Sequence, residues 1–280
     1  MSTKATRRVP AGAAALPVVV MALLAGCGLP AAGQPVATRT IGDPTTAPLT
    51  TAPDATTTGR PPGRSPVAGV APVAVSYPAT GGGRWSTAAA ESAPEHGGRG
   101  RLLRYRVAVE RDIEGLSVAG VAAAVSATLD DPRGWTAGGT WRLRRVGVDS
   151  AADFTIYLAT PGTRDDLCQD TPDGYTSCRN GNRVVLNVAR WVKGVQSYGA
   201  SLATYREYMV NHEVGHRLGM GHERCPGRGR PAPVMQQQTL GLHGCTANAW
   251  PYPDGRDRYA GPVGAYRDEM PPREGARPAP

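Results

Sequence analysis

The sequence predicts an α+β domain between about Arg101 and Pro253, on three observations. Period-two apolar alternation marks short segments there, helical spacing marks two longer ones, and the flanking sequence shows neither period. The predicted order is strand, helix, three strands, then a second helix. That order fits a twisted mixed sheet with two main helices and a loop-rich C-terminal part.

The first strand rests on Leu103, Tyr105, Val107 and Val109, which alternate with Arg104, Arg106, Ala108 and Glu110. Val118, Val121, Ala122, Val125 and Leu129 then recur at helical spacing until Pro132 and Gly134 interrupt the chain. Trp141 to Val148 and Asp153 to Ala159 read as strands, the latter with Phe154, Ile156 and Leu158 on one face, and Val184 to Val188 supplies a fourth. From Ser201 to Leu218 the pattern is helical again, with Ser201 as cap and Leu202, Tyr205, Met209, His212 and His216 along one side.

This last helix carries the chemistry. His212, Glu213, His216, Gly219 and His222 stand at the spacing H-E-x-x-H-x-x-G-x-x-H, which describes a catalytic zinc site. Positions four apart share a helix face, so His212 and His216 can present imidazoles to one metal, with Glu213 one step round. Gly219 can take the left-handed conformation that ends the helix and lets His222 reach the metal from a third direction. Three neutral imidazoles leave a tetrahedral zinc one open position for a water whose pKa falls towards roughly 7. The expected function is therefore hydrolysis, with one zinc ion as cofactor. The bland alternatives are a degenerate, inactive site and a coincidental histidine pair; retention of Glu213 speaks against the former.

The same residues resemble the signature of the metzincin metallopeptidases, a zincin family with a methionine turn beneath the metal. Ala232-Pro233-Val234-Met235 follows His222 at a fitting distance. The resemblance implies that His212, His216 and His222 are ligands, Glu213 the general base and acid, and Met235 a structural floor; an ordinary core methionine is the competing reading of Met235. Some metzincin branches place a catalytic tyrosine two residues beyond the methionine, where this chain has Gln237, so that role is either absent or filled from elsewhere; Tyr198 or Tyr252 could replace it, but packing is the usual role of a half-buried tyrosine and neither enters the catalytic set. The stretch from Arg101 to Pro251 also resembles an uncharacterised secreted zincin-like domain of high-GC Gram-positive bacteria, through Asp131-Pro132-Arg133-Gly134-Trp135, Tyr157-Leu158-Ala159-Thr160-Pro161 and Pro233-Val234-Met235. It implies a zincin fold whose cleft is bordered by an edge strand, for which Val184 to Val188 is the first choice, and to which an extended peptide substrate could add.

The remaining segments suggest an extracytoplasmic setting. Lys4, Arg7 and Arg8 precede an apolar run from Ala13 to Leu24, shorter than a membrane span of about 20 residues, so residues 1–27 read as a signal peptide. Leu24-Ala25-Gly26-Cys27 resembles the bacterial lipobox, which implies acylation of Cys27, a membrane anchor and a lipoprotein; an ordinary secretory signal or an uncleaved anchor is the alternative. Residues 28–100, rich in Pro, Thr, Ala and Gly, read as a disordered tether, with a propeptide as alternative. Residues 101–253 form the domain, and residues 254–280 are expected to fray. The other four cysteines, Cys168, Cys178, Cys225 and Cys245, suit an oxidising compartment, and short loops favour pairing Cys168 with Cys178 and Cys225 with Cys245; Cys225 as a zinc ligand competes.

Formal charge is +8, lowered by three if Lys4, Arg7 and Arg8 leave with the signal peptide. The basic residues are spread out without aromatic interleaving, which speaks against nucleic acid as a partner. The expected partners are a peptide or protein substrate in the cell envelope and the membrane. Two other readings stand beside the endopeptidase: a zinc hydrolase acting on cell-wall amides, and an inactive zinc-stabilised binding module.

Overall fold

The computed structural model describes residues 74–92 and 99–278. The signal-type segment, Cys27 and residues 28–73 lie outside the described residues. Two strands come first, β1 (Trp85–Thr87) and the ten-residue β2 (Arg101–Glu110), paired antiparallel. The domain thus starts earlier than the expected boundary at 101. Residues 74–92 carry little apolar periodicity, and their order comes from pairing with distant partners: Ser76 bridges Glu114, and Tyr77 bridges Arg277.

After β2 the chain forms α1 (Val118–Asp130), β3 (Trp141–Arg145), β4 (Phe154–Ala159), α2 (Pro161–Cys168), β5 (Cys178–Asn180), β6 (Arg183–Asn187), α3 (Val188–Lys193) and α4 (Leu202–Arg217). Ser117 caps α1 by accepting the amide of Gly120 at 3.0 Å, and Val121, Ala122, Val125 and Leu129 are buried against the sheet and α4. The α+β class and the mixed sheet are as expected; α2 and α3 were not foreseen. α2 has no apolar period to show itself, only Pro161 at its first turn. α3 begins at once where β6 ends, because the Asn187 side chain accepts the amide of Ala189 at 2.9 Å and turns the strand into a helix.

The sheet has six strands in the order β1-β2-β4-β6-β5, with β3 beside β2 as well. β1 pairs with Ala108–Glu110 and β3 with Arg101–Tyr105, so the two share one edge of β2. β3, β4 and β6 run parallel to β2 or its neighbour, whereas β1 and β5 are antiparallel. Leu103, Tyr105, Val107 and Val109 of β2 pack into one core with Phe154, Ile156, Leu158, Val184 and Leu186. The outward turn expected of Glu110 is not found. It is buried and accepts from the amide of Thr160 (2.8 Å), the Thr163 hydroxyl (2.7 Å) and the amide of Gly83 (3.0 Å), which satisfies a carboxylate that would otherwise be costly to bury.

β5, and not the segment Val184 to Val188, is the edge strand. β6 lies inside the sheet between β4 and β5. The long apolar run of β6 is what a strand buried on both faces requires, and so marks an interior position.

Candidate metal centre

α4 starts at Ser201, whose hydroxyl accepts the amide of Thr204 at 3.1 Å. It buries Tyr205, Tyr208, Met209, His212 and Glu213. At its end the amide of Leu218 reaches the carbonyl of Val214 (2.9 Å) and that of Met220 reaches Gly215 (2.9 Å), with Gly219 at φ +94°. No atom stands within 4 Å of where a Cβ of Gly219 would lie, so the glycine serves the backbone turn and not a tight fit. That turn brings His222 back to the helix, as expected.

The three imidazoles meet. Nε2 of His216 lies 3.2 Å from Nε2 of His212 and 3.1 Å from Nε2 of His222, and all three nitrogens fall within 4.8 Å of one another. Nδ1 of His212 is 2.8 Å from the carbonyl of Val234, and Nδ1 of His216 is 2.9 Å from the carbonyl of Met220. A carbonyl only accepts, so each Nδ1 carries its ring's proton and each Nε2 of these two presents a lone pair. Lone pairs facing one another at 3.2 Å repel unless a cation or proton lies between them. Burial and mutual proximity hold all three rings neutral: the pKa of His212 is pushed well down by burial and by His216, that of His216 is lowered by burial, and that of His222 falls to about 4 for the same reason plus His216. Neutral, convergent imidazoles with backbone-anchored Nδ1 atoms are the donor set that a borderline-soft divalent metal takes, and the residues fit zinc.

Glu213 lies beside them, 5% exposed, with Oε2 lacking any hydrogen-bond partner among the described residues. Burial pushes its carboxyl up to about 8, against the opposing influence of the Arg164 guanidinium.

Met235 is fully buried against α4. A Cβ on Gly215 would come within 2.5 Å of Met235 Sδ and 2.6 Å of Trp135 Cζ2. The glycine between His212 and His216 therefore lets the methionine and the indole close on the helix. Trp135 also donates its indole N–H to the carbonyl of Asn211 (2.8 Å), and Asn211 donates to the carbonyl of Ala249 (2.9 Å). Gly215, Trp135 and Asn211 stood unremarked in the sequence as part of the site. Only the unusual glycine inside a helix could have pointed to this contact.

Neither Tyr198 nor Tyr252 stands among the residues around the three histidines. Tyr198 is buried in a ring contact with Tyr205 and Tyr208, and Tyr252 hydroxyl faces Gly138. Tyr208 lies close to His212, but its hydroxyl donates to the Gln236 carbonyl (3.0 Å) and accepts from the Gln238 amide (2.8 Å).

His212, Glu213, His216 and His222 line a cavity of about 470 Å³. One wall is the segment from Asp170 to Arg179, which ends in the edge strand β5; another holds Gln237, Thr239 and Leu240. Each wall is tied by a disulfide. Cys168 joins Cys178 and Cys225 joins Cys245, the pairing expected from loop length, and the second bond removes Cys225 from the choice of metal ligands. Arg164 buttresses the first wall, its buried guanidinium shared among Asp165 (2.8 Å), Asp170 (3.3 Å) and Asp173 (3.3 Å).

The expected fraying after Asp254 is corrected. Residues 254–278 pack against the domain, and their first part clamps the third histidine. Gly264 donates its amide to the carbonyl of His222 (2.9 Å); the adjacent Glu223, buried, accepts from Arg258 (2.7 Å) and from the amide of Gly261 (3.3 Å). His243 stacks on Tyr266 and contacts Asp268 at 3.1 Å.

The fold and site together define an α+β domain with a three-histidine cluster beside a buried carboxyl group. Residues 71–253 match a family model described as protein of unknown function (DUF3152), and the chain belongs to that family. No curated protein and no solved structure matches it. Among the described residues, no helix is long and apolar enough to cross a membrane.

Proposed function

We propose that the domain is a zinc-dependent endopeptidase with a metzincin-like zincin fold, held outside the cytoplasm as a lipoprotein by Cys27 and acting on peptides or proteins of the cell envelope. One observation carries this reading: three neutral imidazoles converge within 4.8 Å beside the buried, unpartnered carboxylate oxygen of Glu213. Nε2 of His212, His216 and His222 would hold the ion. When bound, zinc supplies Lewis-acid polarisation of the scissile carbonyl and acidifies water.

The remaining work falls to the chain. Glu213 takes a proton from the attacking water as the new C–O bond forms, and returns it to the amine nitrogen as the C–N bond breaks. Its buried position keeps bulk water from competing for that proton. The turn at Gly219 and the carbonyls of Val234 and Met220 fix the orientation of the imidazoles, while Met235 and Trp135 close the space beneath.

The experiment is zinc analysis of the purified protein, with activity on a mixed peptide library beside purified wall fragments. About one zinc per chain is expected, lost in a His212→Ala, His216→Ala double variant and kept in Glu213→Gln, whose hydrolysis falls by orders of magnitude. Stoichiometric zinc in the double variant would overturn the ligand assignment. Cleavage of wall amides alone would move the substrate away from proteins, and a zinc-loaded protein inert to both would leave a binding module.

A further inference from the structure

The tail beyond the clamp on His222 is tied on one side to the loop closed by Cys225 and Cys245, and on the other to α2, α3 and the segment after α2. On one side Tyr266 accepts the amide of Cys225 (3.2 Å) and stacks on His243, and Asp268 reaches His243, three residues after the wall residue Leu240. On the other side Arg273 donates to Asp165 (2.6 Å), and Glu274 donates its amide to the carbonyl of Gly174 (3.4 Å) while its carboxylate pairs with Arg190 and Lys193. Between these anchors lies Met270, a 43% exposed apolar side chain that lines the same cavity as the histidines. Residues beyond 253 fall outside the family match.

We infer that residues 266–274 form a strap across the cavity of the proposed peptidase, and that it selects the substrate class: slender, unfolded peptide segments pass beneath it, while folded or bulky chains are kept from the histidines. This rests on the hydrolase reading for its substrate and on the anchors alone for its geometry. The anchors are polar pairs whose buried partners keep other contacts without the tail, Asp165 with Arg164 (2.8 Å) and Arg190 over the Tyr175 ring. The strap can therefore be released without dismantling the site. Met270 is the strap side chain that lines the cavity, a surface against which an apolar substrate side chain can pack.

The test uses the full chain and two ways of freeing the strap: an Asp268→Ala, Arg273→Ala, Glu274→Ala triple variant, and a chain ending after Gly264, which keeps the Gly264 contact to His222. The first readout is cleavage of a short fluorogenic peptide and of the same peptide flanked on both sides by folded domains. Freeing the strap should raise cleavage of the flanked substrate on the order of tenfold while the short peptide changes by less than about twofold. The second readout needs no activity. A cysteine at Leu240→Cys is alkylated with a small maleimide and with one carrying a bulky polymer, and modification of residue 240 is followed by peptide mass. With the strap in place the bulky reagent should lag; with it freed the two should converge. Strap-dependent labelling without hydrolysis of either substrate would sink the peptidase and leave the strap. Equal labelling by both reagents in every variant, or a flanked substrate cut as readily as the short one by the unaltered chain, would overturn the strap.

Discussion

The amide of Gly264 donates to the carbonyl of His222 at 2.9 Å. The third histidine of the cluster is thus held by a residue beyond the region that the family match covers, and its neighbour Glu223 is held by Arg258 and Gly261 of the same segment. Support of this kind for a ligand typically carries a tenfold to hundredfold share of metal affinity.

A chain ending after Pro253 should therefore bind zinc roughly tenfold or more weakly than one ending after Gly264, as read by competition with a chelator. Arg258→Ala should fall between the two, since the amide of Gly261 still reaches Glu223. Equal affinity in both truncated chains would show that the turn at Gly219 alone places His222.

The packing of Gly215 against Met235 and Trp135 makes a stability prediction. Gly215→Ala puts a methyl group where Met235 Sδ already lies, and should cost about 1–3 kcal/mol in denaturant unfolding despite the better helix propensity of alanine. Met235→Ala alone opens a hole and should cost roughly 2–5 kcal/mol. The two together should be less damaging than their sum, because the space one change removes the other provides. Strict additivity would mean that the helix moves away from the methionine.

The two disulfides should separate by readout. Removing Cys225 and Cys245 frees the loop that carries Met235 and the Val234 carbonyl facing His212, so zinc affinity and stability should fall together, the latter by roughly 3 kcal/mol. Removing Cys168 and Cys178 frees α2 from β5 and should lower thermal stability while leaving zinc affinity near that of the intact chain. A larger zinc loss in the second variant would place the metal's support on the wrong wall.

Cys27 lies outside the described residues, and its prediction is chemical. The intact mass of the mature protein should begin at Cys27 with added acyl chains, and Cys27→Ser should leave the precursor uncleaved, since stable anchoring needs two or more lipid signals. A mature terminus elsewhere without lipid mass would refute the anchor and leave export open.

Much of the site was legible because it is local. His212, Glu213 and His216 sit one turn apart, Ser201 and Gly219 mark the two ends of α4, and one glycine decides where His222 points. The two disulfides were legible for the same reason. What could not be read was order made by distant pairs. The Pro, Gly and Arg-rich tail has the composition of a disordered end, yet Arg273 meets Asp165 across 108 positions and Arg258 meets Glu223 across 35. Composition records how many charges there are and not which ones meet. β5 was hidden because three residues are too few to show a period, and without it β6 looked like an edge.

The two sulfur bridges set a condition on when this cavity exists in finished form. Cys178 itself lines the cavity, and the Cys225 bridge pins the loop that faces it. A newly made chain with four free thiols has both walls untied. On the proposed route the last step of building the site is therefore oxidation after export, and a hydrolase of the proposed kind would be completed only outside the cytoplasm that synthesises it.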